Sequence, residues 1–148
     1  DVCQRMVLRL CALRASDQQI SDLNKTNNFF ISAIKARDIV RMSESNRDFH
    51  AIMLDACGNR YFRTLYAELL TVGLRLSLSA FGTGLSNISI DDKYYEDVIG
   101  QHTAMIDAIL ERNADLAEQV AREHTNLFRR RIISTIESGL GEDLKLFN

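Results

Sequence analysis

Proline is absent from all 148 residues of the chain, and glycine occurs only seven times. Sandwiches and barrels reverse direction every few residues, and they draw on both residues to do so. Their scarcity disfavours an all-β fold and predicts an all-α one. Hydrophobic residues make up 46% and charged residues 26%, enough apolar side chains for one packed core and too many for long disorder. The length suits a single domain spanning 1–148. No apolar run is long enough to cross a membrane, and no signal peptide is visible. The chain starts at Asp1 rather than Met, which reads as a piece of a longer protein. Eighteen basic and twenty acidic side chains leave a net charge of −2. A domain that holds nucleic acid by itself usually carries a basic excess, so any DNA contact would come from elsewhere. Cys3, Cys11 and Cys57 are odd in number and lack paired or metal-ligand spacing. They read as small core or near-core residues of a protein in a reducing, cytoplasmic compartment.

Helical periodicity divides the chain into about six helices with short connections, predicting an antiparallel bundle. The first runs from Val2 to about Arg14, with Met6, Val7, Leu10 and Leu13 inward. Ser16 and Gln19 form a capping box for the second, whose stripe is Ile20, Leu23, Phe30 and Ile34, to about Ala36. Asp38 caps a third helix from Ile39 to about Cys57, and Gly58 suits the left-handed position after it. Asn59 caps a fourth, from Arg60 to about Ala80, with Phe62, Leu65, Leu69, Val72 and Leu76 as its expected core face. The segment Gly82–Asp92 reads as a loop. A fifth helix follows from about Lys93 to Arg112, with Gly100 as a point where it could break. Asn113 or Asp115 caps the last, which reaches about Ser138 and is ended by Gly139 and Gly141, ahead of a loose tail from Glu142 to Asn148.

Only three histidines occur, His50, His102 and His124, and each falls on the apolar side of its own helix. His102 lies one turn from Val98 and from Ile106; His124 lies one turn from Val120 and from Phe128. A single histidine so placed is usually a hydrogen-bonded core residue. Three of three raise a second reading, because buried imidazoles need partners and one shared cation supplies them. Asn46 lies four residues before His50 on the same helix face. Its amide oxygen could complete a coordination shell or make a supporting hydrogen bond. Asp48, about 200° around the helix from His50, reads as solvent-facing, and Asp97 and Asp107 as surface or supporting residues.

The segment Asn46-Arg47-Asp48-Phe49-His50, continuing to Ala56-Cys57-Gly58-Asn59, resembles the FCD domain. This is the C-terminal effector-binding domain of the FadR subgroup of GntR-type transcription regulators. The stretch from Gln101 to Ile109 is similar to that family's histidine-containing segment. Asn113–Ala117 followed by His124 resembles its final helix, and Cys11–Asp17 resembles the end of its first. The resemblance covers nearly the whole chain. It implies a helical bundle around a central ligand cavity in which many members hold a divalent metal with one Asp and three His. A small organic acid binds that metal through its carboxylate. Carried onto this chain, the ligand set is Asn46, His50, His102 and His124. Asn46 stands where many relatives have Asp, which should weaken metal binding while strengthening the pull on an anion. Imidazole ligands point to zinc or nickel.

The resemblance also implies a homodimer whose N-terminal winged helix-turn-helix binds operator DNA, a part not found in these residues. Bound acid would reposition helices and so change the spacing of the two DNA-binding heads. For the acid's carboxylate, Arg75 near Ser77 and Ser79 is the candidate cation, with Arg9, Arg14 and Arg47 behind it and Tyr61 as a hydroxyl source. Tyr66, Tyr94 and Tyr95 read equally as core or interface, and the run Arg129–Arg131 as solvated. The expected function is therefore a non-enzymatic sensor. The competing readings are a metal-free effector domain with structural histidines and a metal-dependent hydrolase. The hydrolase reading lacks a carboxylate base placed near His50.

Overall fold

The computed structural model describes residues 1–81, 92–135 and 137. It is an all-α bundle of six helices: α1 (Val2–Arg14), α2 (Asp17–Lys35), α3 (Ile39–Ala56), α4 (Arg60–Phe81), α5 (Asp92–Leu110) and α6 (Ala114–Thr135). The described residues contain no strand. Of the expected loop, only Asp92 is described, and it already belongs to α5. The end of the last helix, the tail, and the side chains of Ser77 and Ser79 lie outside the described residues.

Local chemistry sets the helix boundaries. The Ser16 hydroxyl accepts from the Gln19 amide at 3.2 Å, and Gln19 Oε1 accepts from the Ser16 amide at 2.9 Å, completing the capping box. Asp38 caps α3 by accepting from Arg41 N at 3.0 Å. Asn59 caps α4 by accepting from Tyr61 N and Phe62 N. Of the two candidates for α6, Asn113 is the cap, accepting from Leu116 N at 3.1 Å. Gly58 has φ +60°, as its position after α3 predicts. Two other helix ends put arginine in the same left-handed region, Arg37 at φ 54° and Arg112 at φ 57°. Each is held by two backbone hydrogen bonds into the last turn, such as Asp38 N to Ala33 O at 3.0 Å and Arg37 N to Ile34 O at 2.9 Å.

Three expectations need correction. α5 runs unbroken through Gly100. A glycine in a helix costs only about 1 kcal/mol, and the buried Val98, His102 and Met105 hold the helix on either side. In α1 the inward face is Gln4, Val7, Leu8, Cys11 and Ala12, while Leu13 is exposed. In α4, Leu65, Leu69 and Val72 are exposed rather than core. The helix turns Tyr66 inward instead, with Phe62 and Leu70 half-buried beside it. Gly73 faces α6: the place where its Cβ would stand is at ordinary contact distance, 3.9 Å, from the Phe128 ring.

The main core joins Val7 and Leu8 of α1, Phe49 and Met53 of α3, Met105 and Ile109 of α5, and Ala117 and Ala121 of α6. A smaller cluster of Phe30, Ala33, Met42 and Val98 joins α2, α3 and α5. Arg5 and Arg9 of α1 pair with Glu118 and Asp115 of α6 along the rim. Such partly solvated pairs set register more than stability.

Candidate metal centre

α3, α5 and α6 each turn one histidine toward the same point. One nitrogen from each of His50, His102 and His124 lies within 4.8 Å of the other two. Their ring centroids are 5.1–5.6 Å apart. His50 is 2% exposed, His102 is 0% exposed, and His124 is half-buried. Neighbouring rings fix the first two. Phe49 stacks on His102 at 4.2 Å with the planes 18° apart, and it meets His50 edge-on at 5.6 Å. Phe30 covers another side of His102 at 5.1 Å.

The hydrogen-bond pattern tests whether these residues suit an ion. His50 Nδ1 and both nitrogens of His102 are buried without a protein partner, which is costly for groups that strong. An ion accepting one nitrogen from each would remove much of that cost. Three nitrogens bound tetrahedrally to one zinc at about 2.0–2.1 Å lie about 3.4 Å apart, so side chains whose nitrogens lie within 4.8 Å of one another would draw inward to close on an ion. His124 is oriented from behind: its Nδ1 lies 2.9 Å from Gln101 Oε1. That oxygen only accepts, so Nδ1 carries the hydrogen and the Nε2 lone pair is left for a metal. Three neutral imidazoles, with buried, unpartnered nitrogens on His50 and His102, are a donor set that could hold a metal ion.

Burial keeps all three imidazoles neutral. It pushes His50 down to about 3, with repulsion from His124 adding to the effect, and His124 down to about 4. His102 is also held well below its usual value, first by burial and then by His124 and His50. Neutral imidazole is the form that ligates. The same shifts predict acid lability of the metal-free protein. Above pH 6.5 the histidines are neutral whether folded or not, so the full stability is present. As pH falls below 6.5 the unfolded chain takes up protons that the folded chain refuses. Stability then drops by up to about 1.4 kcal/mol per pH unit per histidine, and the loss ends only as pH passes the folded values, near 4 for His124 and 3 for His50. Thermal melts in chelator should show Tm falling steeply from pH 6.5 to 4. A Tm that is flat over that range would contradict the burial of neutral imidazoles.

A cavity of about 260 Å³ opens beside the trio. His50, His124 and the half-buried Asn46 line it, together with Tyr66, Tyr94 and Tyr95. The structure therefore brings Asn46 to the same cavity as two of the histidines. It does not bring Arg75 there, because that side chain is exposed on α4 and is not among the lining residues. The other arginines are engaged elsewhere: Arg9 with Asp115 and Glu118, Arg14 with the Cys57 carbonyl at 2.7 Å, and Arg47 with Asp48. Tyr61 is exposed and its hydroxyl lies 2.7 Å from Arg60. Asp48 and Asp107 face solvent, as expected, and Asp97 pairs with Lys93. Arg129 and Arg130 are exposed as expected, whereas Arg131 is half-buried over the Tyr94 ring at 5.6 Å. Gln101 went unrecognised in the sequence, because nothing in its spacing marks a residue that braces a histidine on another helix.

The model of one protein family, described as the FCD domain, matches residues 4–127. No curated protein matches the chain.

Proposed function

Since the chain belongs to the FCD domain family, we propose that it senses a small organic acid at a divalent transition metal, zinc or nickel, held by His50, His102, His124 and Asn46. The family is that of the ligand-sensing regulatory domains of GntR-type transcription regulators. Placement in its FadR subgroup belongs to the same proposal, as do homodimerisation and control of operator DNA through a winged helix-turn-helix in the parent protein. Among the described residues no helix is long and apolar enough to cross a membrane.

The observation that carries the reading is the histidine trio, in which three buried nitrogens of His50 and His102 have no protein partner, with His50 and His124 lining the cavity. When bound, the ion supplies a Lewis-acidic position for a carboxylate. Three imidazoles and one amide leave its charge undiminished, which favours an anion. Asn46 and His50 come from α3, His102 from α5 and His124 from α6. A ligand drawn to these side chains therefore acts on three helices at once, which is the coupling that a sensor needs.

Thermal shift with a panel of small hydroxy- and keto-acids tests the reading, run on zinc-loaded and on chelator-treated protein. An acid that raises the Tm of the loaded form by several degrees and leaves the stripped form unmoved is the expected result. Equal shifts in both forms would support metal-free effector binding, and steady turnover of a substrate would support the hydrolase.

A further inference from the structure

The cavity has a second polar feature away from the histidines. Gln4 of α1 lines it and is only 6% exposed. The Thr125 hydroxyl of α6 donates to Gln4 Oε1 at 2.6 Å. That bond fixes the amide and leaves Nε2 with no partner among the described residues. A buried amide N–H₂ left unpaired is costly, and the residue that carries it borders the space a ligand would fill.

The charge of the lining narrows what could satisfy it. No Lys or Arg is among the described residues of the wall, while Asp1, whose carboxylate pairs with Arg5, is. Met42, Leu70, Leu74 and Phe128 supply apolar wall between the polar groups. A second carboxylate on the ligand would lose its water without gaining a counter-charge. An uncharged oxygen would gain a donor.

We propose that Gln4 is a specificity-determining residue of this cavity: its Nε2 donates to a hydroxyl or carbonyl oxygen of a monocarboxylic acid with an apolar body, and dicarboxylic acids are disfavoured. The carboxylate half of this inference rests on the acid-sensing reading above; the Gln4 half rests on the orphaned amide.

Calorimetric titration of the zinc-loaded protein with hexanoate, the positional series of hydroxyhexanoates and hexanedioate separates the two halves. At least one hydroxyhexanoate should bind roughly tenfold tighter than hexanoate, the worth of one well-placed hydrogen bond to a buried donor. Hexanedioate should be the weakest. Gln4→Met should abolish the hydroxyl's advantage. Thr125→Val, which removes the group that fixes the amide, should reduce it and serves if the first variant does not fold. A hydroxyl advantage that survives in these variants overturns the role of Gln4, and tightest binding of hexanedioate overturns the exclusion of dicarboxylic acids. Hexanoate binding with no gain from any hydroxyl overturns Gln4 alone. Failure of every acid to bind the zinc-loaded wild type overturns the acid-sensing reading together with this one.

Discussion

His102→Ala should lower zinc affinity by more than about 100-fold. Loss of a group that merely supports a metal ligand already costs about 10–100-fold, and His102 is one of three imidazoles in the cluster. The consequence for stability follows by linkage. An ion present at about 100 times its Kd adds about 2.7 kcal/mol, about 5–10 °C in a chain of this size. That zinc-dependent rise should vanish in the variant. Without metal the substitution has two opposed effects: it removes two unpartnered nitrogens and leaves a cavity in the core. The informative quantity is therefore the difference in Tm with and without zinc. A variant that kept the full rise would place the ion elsewhere.

Phe49→Ala should cost about 3–5 kcal/mol of unfolding free energy, the usual range for a buried aromatic. Phe49 is 0% exposed and sits in the main core. It also stacks on His102 and meets the edge of His50. The void would thus open directly behind two proposed ligands. Denaturant unfolding in chelator reads the packing cost, and zinc titration of the same variant reads the loss of ring alignment. A change below about 1 kcal/mol would mean that the rings are positioned from elsewhere.

The bundle itself was legible because its signals are local. Ser16 with Gln19, Asp38, Asn59 and Gly58 each act within a few residues, and each does in the structure what its spacing predicts. The histidine trio was legible for a related reason. Apolar neighbours one turn away put each ring on an inward face, and Asn46 followed from its distance to His50.

What failed depends on contacts between helices. α4 carries two apolar stripes at helical spacing, and which one meets the core, that of Tyr66 with Phe62 and Leu70, is set by packing against other helices rather than by its own periodicity. Leu13 was expected inside, yet α1 buries Gln4 against Thr125 of α6 instead. No periodicity favours burying a glutamine. Arg37 and Arg112 end helices in a region that usually signals glycine, so composition could not mark them. The charge of Arg75 and its serine neighbours do not say which way its helix faces, and its side chain is exposed on α4.

Elemental analysis of protein purified without a nickel column bears most directly on the metal centre. The predicted result is about one equivalent of zinc or nickel per chain, absent from His102→Ala. No metal in the wild type, together with no stabilisation when zinc or nickel is added, would contradict it.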